Sequence, residues 1–340
     1  MGGTADILGH DRIVERLWGA LGRDALHHAY LFEGPEGVGK RTVALRLAMA
    51  ANCEREGAGP LPCAVCATCR SIAAGQHPDV IALAPTEDRA TPIIAVDQVR
   101  EVVRKAGYHR YAARRRFIVV DPADAMQDAA ANALLKTLEE PPEGTGFILV
   151  VTHARALLPT ILSRCQRVRF SAVPEEALVP WLEAREVPDP LLVARAALGC
   201  PGAALELGEG RLAERRALRD HFLAALGGRL GEVFDFSAKV TRGGPRAWRE
   251  RVGELLEIAE ELLRDVTVTG AGAQTPILHV DRQALLDAWA STLWPGGVVR
   301  CADAVQEARH QLARNVSGKT LVDALVTRWA TELGPARRAS

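Results

Sequence analysis

The sequence predicts an α/β domain with a parallel sheet, followed by a long region made only of helices. Short apolar runs alternate with helical patterns as far as about residue 170. Strands that alternate with helices usually form a parallel sheet covered on both faces. Beyond residue 170 the alternation stops, while helical periodicity continues almost to the C-terminus.

The predicted elements follow in order along the chain. Residues 40–51 and 96–106 have helical periodicity. Residues 171–209 are typical of short helices, and a helical bundle is expected from about residue 210 onward. Four short apolar runs are predicted strands: 29–32, 80–84, 117–121 and 147–152.

Length and composition limit the class of protein. A chain of 340 residues with 48% hydrophobic and 25% charged residues is typical of a soluble globular protein with two or three domains. Lys+Arg and Asp+Glu balance at 42 each, which argues against nucleic-acid binding over the whole surface but leaves a local patch open. No long apolar run or export signal is evident, so we expect a cytoplasmic location.

Residues 34–40 match the phosphate-binding pattern G-x-x-x-x-G-K between a predicted strand and a predicted helix. Gly34, Gly37 and Gly39 allow backbone N–H groups to converge on an anion, and Lys40 can reach a phosphate. A simple glycine turn before a helix is the alternative. The order of strand, loop and helix favours descent from a nucleotide-binding domain.

Two positions depart from an active nucleotide-hydrolysing site. Arg41 stands where a hydroxyl would bind Mg²⁺, and Pro122 follows Asp121 where an active enzyme has a glutamate. Proline has no carboxylate with which to orient the attacking water. Lys40 and Asp121 could still hold a nucleotide weakly, but we expect that hydrolysis is lost and that ATP binding is weak or absent.

Four of the seven cysteines fall within residues 53–69. Four thiolates suit tetrahedral Zn²⁺, and a site with no open position is structural. The alternative is a set of buried free thiols. Glycines and prolines at 57–62 predict a loop excursion pinned by the metal. The predicted zinc ligands are Cys53, Cys63, Cys66 and Cys69.

Five motifs occur in a fixed order: HAYLF at 28–32, the glycine loop, the cysteine array, ANALLKTLEEPP at 131–142 and PTILSRC at 159–165. Together they resemble the bacterial sliding-clamp loader subunits of the AAA+ family, which includes the gamma/tau and delta-prime subunits of DNA polymerase III. Looser matches continue at 199–205, 262–265 and 314–316.

The resemblance implies three domains. An AAA+ P-loop NTPase-type domain with a zinc module at about 53–69 would cover residues 1–170. A small helical lid domain would cover 171–209, and an all-α collar domain for oligomerisation would cover 210–340.

Within the family, gamma/tau is an ATPase and delta-prime has lost catalytic groups. Arg41 and Pro122 fall on the delta-prime side, and so does Gly202, which stands where an arginine would sense the γ-phosphate. The resemblance therefore implies a subunit of a DNA-directed DNA polymerase (nucleotidyltransferase) holoenzyme with no ATPase activity of its own. An active clamp-loader ATPase of gamma/tau type is the alternative.

The resemblance also implies partners and one functional arginine. The partners would be gamma/tau and delta subunits in a hetero-pentameric ring that loads a sliding clamp onto primed DNA. Arg164 would be an arginine finger, inserted across an interface to neutralise charge on a neighbour's γ-phosphate. A surface ion pair is the alternative for Arg164.

Three further interpretations are less specific. A zinc-dependent nucleic-acid-binding module is a third hypothesis, and an expected lack of an aromatic-plus-basic stacking surface counts against it. Residues 114–116, with Arg110 and Lys105, are interpreted as a solvated basic turn rather than a phosphate contact. Glu139 and Glu140 are adjacent at a helix end and do not form an acid/base couple.

Overall fold

The structure is a computed structural model that describes residues 7–55, 62–86, 93–293, 295–314 and 316–334. The chain divides into two compact units, Met1–Glu206 and Leu207–Ser340. Most of the predicted loop excursion between Cys53 and Cys63 lies outside the described residues, as does Asn315 in the looser match at 314–316.

The first unit contains a five-stranded, wholly parallel sheet in the order β2-β3-β4-β1-β5. The sequence predicted four strands, and β5 was missed. This edge strand reads Gln-Arg-Val-Arg and buries only Val168, so it has no apolar run to reveal it. The strands are β1 Ala29–Glu33, β2 Val80–Leu83, β3 Arg116–Val120, β4 Thr145–Val151 and β5 Gln166–Arg169.

Nine helices accompany the sheet in the described part of the first unit. They are α1 Asp11–Gly22, α2 Lys40–Asn52, α3 Ala67–Ala73, α4 Val96–Ala106, α5 Asp128–Glu139, α6 Pro159–Leu162, α7 Glu175–Glu183, α8 Pro190–Ala196 and α9 Pro201–Glu206. Helices α7, α8 and α9 are part of this compact unit, which ends at Glu206. A separate lid domain over 171–209 stays a prediction.

Each face of the sheet has its own hydrophobic core. Tyr30 and Phe32 point into one core, with α1, α2 and α3, whereas Ala29 and Leu31 point into the other, with α4, α5 and α6. The same alternation holds along β3 and β4. Because both faces are covered, the inner strands are apolar at nearly every position, as the sequence pattern predicted.

The register of the strands positions the candidate site. Glu33 pairs with Val151 and Val120 pairs with Leu149, so the carboxyl ends of three inner strands lie at one edge of the sheet. The glycine loop follows β1 and Asp121 follows β3 at that edge. Ligands of α/β proteins bind at this edge.

The second unit is a helical bundle, as predicted. Its core includes Trp329, which is fully buried, packs edge-on against Phe222 and Trp289, and donates a hydrogen bond from Nε1 to the Cys301 carbonyl at 3.2 Å. The described part of the chain holds no helix with the length and apolar character needed to cross a membrane. The helices are α10 Leu212–Gly227, α11 Leu230–Val240, α12 Pro245–Gly270, α13 Gln283–Leu293, α14 Gly296–Ala313 and α15 Gly318–Leu333.

A buried ion pair fixes the loop that joins α4 to β3, residues 107–115, here named the α4–β3 loop. Arg116 Nη2 lies 2.7 Å from Asp79 Oδ1, and both side chains are almost fully buried. The interpretation of 114–116 as a solvated turn is therefore wrong for Arg116, which begins β3. Burial opposes ionisation of Asp79, but hydrogen bonds from the loop backbone and Arg116 hold the pKa of its carboxyl below the usual value.

The same pair holds the loop backbone from both sides. Asp79 Oδ2 accepts hydrogen bonds from three successive N–H groups, those of Tyr111, Ala112 and Ala113. The Arg116 guanidinium donates to four carbonyl groups, those of Lys105, Ala106, Tyr108 and His109. A charged pair with every polar atom engaged can fix a loop without regular secondary structure.

We expect Asp79→Ala to lower the free energy of unfolding by about 3–5 kcal/mol, because it leaves the Arg116 guanidinium buried without a counter-ion. Equilibrium urea unfolding measures this. Asp97→Ala is the matched control, since Asp97 is exposed and forms a surface ion pair with Arg100 three residues away. Asp97→Ala should lower the free energy of unfolding by less than about 1 kcal/mol. Equal costs for the two variants would contradict the anchoring role.

Candidate functional site

The glycine loop, residues 34–39, has the backbone of a phosphate cradle. Gly37 has φ +71° and Gly39 has φ +108°, in the left-handed region that favours glycine. Gly39 is also the N-cap of α2. Free N–H groups at a helix N-terminus attract anions, so the local geometry is that of an anion site.

Lys40 is held by the glycine loop itself. Its Nζ donates to the carbonyl oxygens of Gly34 at 2.5 Å and Pro35 at 2.6 Å, and the residue is 7% exposed. Burial lowers the pKa of Lys40, while the Asp121 carboxylate acts against that shift. These two hydrogen bonds engage the ammonium group that would otherwise bind a phosphate.

Arg41 faces Asp121. Its Nη1 lies 3.8 Å from Asp121 Oδ2, with the arginine side chain 54% exposed and the aspartate 22% exposed. Burial raises the pKa of Asp121, and the cations Arg41 and Lys40 counteract this. A guanidinium therefore neutralises the carboxylate that would help to hold Mg²⁺ in a hydrolysing site.

Pro122 directly follows Asp121 and precedes a short 3₁₀ turn at 123–125. Its side chain has no proton acceptor. The position next to Asp121 therefore offers no side-chain base for an attacking water.

Gly202 lies against the glycine loop within the same unit. Its N–H donates to the Gly37 carbonyl at 2.8 Å. A Cβ at position 202 would lie 2.9 Å from that carbonyl oxygen, and a Cβ at Gly37 would lie 2.9 Å from the Ala203 nitrogen. An arginine at position 202 would require this backbone contact to open. The close packing therefore explains why position 202 is a glycine.

The four clustered cysteines meet at one point. Their sulfur atoms all lie within 4.8 Å of one another, and those of Cys63 and Cys69 are 4.0 Å apart. Cys53 ends α2 and Cys66 is the N-cap of α3, so the cluster joins the two helices. Three of the four residues are buried and Cys66 is half-buried.

The geometry fits a metal ion. Zn–S bonds of about 2.3 Å in a tetrahedron place neighbouring sulfurs about 3.8 Å apart. Backbone N–H groups of Cys63, Cys66 and Cys69 each point at the sulfur of another cysteine in the array, at 3.3–3.5 Å. Such N–H···S contacts orient thiolate ligands. The cluster can therefore hold a metal ion.

The thiol pKa values differ within the cluster. Backbone hydrogen bonds from Val65 and Cys66 lower the pKa of Cys63 to about 6, whereas burial raises the pKa of the Cys69 thiol. Four thiolates cannot gather in a buried volume without a cation. A divalent metal supplies that charge and favours the ionised form.

Arg164 lies just after α6 and is 31% exposed. Its guanidinium forms an ion pair with Glu139 at the end of α5, and Nη1 donates to the Thr160 carbonyl at 2.6 Å. In the single chain Arg164 therefore forms a surface ion pair, the alternative given for it above, while the arginine-finger role stays a prediction. The sequence did not identify Glu139 as the partner, because the two residues are 25 positions apart and no spacing rule links them.

A family model described as "DNA polymerase III, delta subunit" matches residues 9–174. A Bacillus subtilis protein named DNA polymerase III subunit delta' is 30% identical over 319 residues, 93% of this chain and 94% of the relative. A Pseudomonas aeruginosa protein of the same name is 42% identical over 176 residues, about half the length of each chain (52% and 52%).

A relative named as a tau subunit is also similar over a shorter region. An Escherichia coli protein named DNA polymerase III subunit tau is 36% identical over 217 residues, which is 62% of this chain and 33% of that protein. The delta' protein of Bacillus subtilis, by contrast, aligns over nearly the full length of both chains. The chain therefore belongs to the delta-prime subunit family of DNA polymerase III.

Proposed function

We propose that the chain is a non-hydrolysing subunit of a clamp loader, acting in DNA replication when a sliding clamp is placed on primed DNA. The observation that carries the proposal is the ion pair between Arg41 and Asp121. A permanent side-chain cation stands where the family's ATPases would bind Mg²⁺, so the metal-dependent step has no place in this subunit.

Two further features support the loss of hydrolysis. Pro122 offers no base, and Gly202 offers no cation to the γ-phosphate while its backbone bonds to the glycine loop. The remaining cradle and Lys40 are compatible with weak nucleotide binding at most, because Lys40 is engaged by two loop carbonyls.

We propose gamma/tau and delta subunits as the partners, in a hetero-pentameric ring. The second unit would act as the collar that joins the subunits, and residues 171–209 as the lid domain. Arg164 would complete the ATP site of a neighbouring ATPase subunit. Its guanidinium lies on the surface and is held by the Glu139 carboxylate, the Thr160 carbonyl and the Ser163 hydroxyl, so a phosphate could replace the carboxylate.

We further propose that the metal in the cysteine cluster is Zn²⁺ and that its role is structural. All four ligand positions are filled by thiolates, so no open position remains for a water or substrate. The metal would fix the loop between α2 and α3 to the core.

The alternative, an active ATPase of gamma/tau type, rests on the similarity to tau. It requires Mg²⁺ to bind while Arg41 neutralises Asp121, and it requires a base other than position 122. The two hypotheses differ in what the isolated chain does with ATP.

We expect the isolated full-length chain to hydrolyse no ATP above background with Mg²⁺ present, because both the metal site and the base are missing. A phosphate-release assay measures this, with Lys40→Ala as the control for contaminating activity. Mg²⁺-dependent turnover that disappears in Lys40→Ala would favour the alternative. In parallel, co-elution with gamma/tau and delta subunits tests the assembly role directly.

A further inference from the structure

The α4–β3 loop exposes aromatic and basic side chains together. Tyr111 is 86% exposed and Tyr108 is 61% exposed, whereas tyrosine side chains in folded proteins are usually at least partly buried. The sequence from 102 to 120 contains no Asp or Glu. The expected lack of an aromatic-plus-basic surface is therefore wrong at this loop. Three basic residues of the loop are also exposed: His109, Arg110 and Arg114.

The cations at this surface outnumber their acidic partners. Arg110 donates to the carbonyl oxygen of Glu143 at 2.9 Å, and Arg114 has no ion-pair partner among the described residues. Both guanidinium groups can therefore bind an anion. The remaining ion pairs are Arg104 and Lys105 with the single Glu101, and Arg115 with Asp24.

The loop backbone is fixed from beneath. Asp79 and Arg116 engage backbone groups from position 105 to position 113 and do not cover the two tyrosine rings. The rings and guanidinium groups are thus presented from an ordered backbone. A preordered surface loses less conformational entropy when it binds a partner.

We propose that the α4–β3 loop binds single-stranded DNA, with Tyr108 and Tyr111 stacking on unpaired bases and Arg110 and Arg114 contacting phosphates. Aromatic rings interleaved with cations are the surface that sequence-tolerant single-strand binding uses. This site lies outside the nucleotide, metal and finger residues, so the inference goes beyond the proposed function.

The composition of the loop favours nucleic acid over a protein partner. A protein interface normally has an apolar centre that becomes fully buried. The α4–β3 loop reads GYHRYAARR and offers no Leu, Ile, Val, Met, Phe or Trp for such a centre. Arg110 lies between the two tyrosines in sequence, and Arg114 and Arg115 follow Tyr111 closely, so rings and guanidinium groups alternate as a phosphodiester chain with bases requires.

Fluorescence anisotropy of a labelled 20-mer of thymidylate, titrated with the full-length chain at low salt without ATP, tests the proposal. Tyr108→Ala with Tyr111→Ala should weaken binding at least about 25-fold, because each of the two stacked bases contributes about fivefold or more. The corresponding double Phe variant should bind like wild type, since it keeps the rings. Arg114→Ala should weaken binding and reduce the salt slope by about one.

Arg246→Ala is the matched control, since Arg246 is an arginine with a 74% exposed side chain on α12; it should leave the affinity unchanged. Unchanged melting temperatures would show that the variants fold. The proposal is overturned if wild type does not bind the 20-mer, or if the double Ala variant binds it as tightly as wild type. A double Ala variant that keeps DNA binding but no longer co-elutes with a partner subunit would instead assign the loop to a protein contact. Because the assay uses the chain alone, its outcome is independent of ring assembly and ATP hydrolysis.

Discussion

Arg164→Ala should depress ATP hydrolysis at one interface of the reconstituted ring by a factor of order 10³–10⁵, the range for arginine fingers supplied in trans. A planar guanidinium can donate two hydrogen bonds to a γ-phosphate as its charge develops. Arg164→Lys should rescue poorly, because an ammonium is a point charge without that geometry. Total ATPase of the ring falls only in part, since other interfaces would keep their own fingers.

Clamp loading onto primed DNA, measured beside subunit co-elution, therefore gives the sharper readout. Arg167→Ala is a matched control: Arg167 is a 41% exposed arginine that pairs with Glu33 on the neighbouring strand. It should leave clamp loading unchanged. Normal loading by Arg164→Ala would show that the arginine is only structural, and failed co-elution would assign it to assembly.

The ion pair with Glu139 adds a condition to the finger role. In the single chain the carboxylate holds the Arg164 guanidinium on the surface between α5 and α6. A neighbour's phosphate would have to compete with that carboxylate, and charge-assisted hydrogen bonds to phosphate are strong enough to do so. Surface pairs of this type contribute about 0–1 kcal/mol, so the competition costs little.

The local sequence pattern was sufficient to predict much of the fold. The apolar runs of the inner strands are long and buried on both faces, so four strands were predicted and the family was recognised correctly. The helical bundle followed from periodicity alone. The edge strand β5 was missed because one buried valine among charged residues, Val168, gives no pattern.

Contacts between distant positions could not be predicted. Asp79 and Arg116 are 37 positions apart, and Arg116 stands in a run of arginines that looks solvated. The pairing of Arg41 with Asp121 depends on the strand register, which brings the end of β3 beside the glycine loop. Sequence identified the residue types at these positions, but only the packed sheet determines which charges meet.

The cysteine cluster was predictable in composition but not in geometry. Spacing indicated four ligands, and the structure adds that their sulfur atoms converge in the core between α2 and α3. Because the four sulfur atoms converge in a buried position, loss of the metal should lower the stability of the fold. An ion bound only by the folded state stabilises it by about 4 kcal/mol when the free ion exceeds its dissociation constant a thousandfold.

We therefore expect about one Zn²⁺ per chain after purification without added zinc, measured by elemental analysis. Cys66→Ser should lower the metal content and the melting temperature, because serine keeps the size of the side chain and removes a thiolate ligand. Cys66 is half-buried, so the change creates no deep cavity. A strong chelator should lower the melting temperature of wild type to that of the variant.

Cys165→Ser is the matched control, since Cys165 is a half-buried cysteine outside the cluster. It should keep both the metal and the response to the chelator. Zinc-dependent protection of thiols gives a second readout: adding the chelator should make four further cysteines per chain reactive towards a thiol reagent. Native protein that contains no metal, and whose cysteines all react at once, would contradict the site. If the metal is present but its removal leaves the melting temperature unchanged, the ion binds without stabilising the fold, and the structural role is wrong.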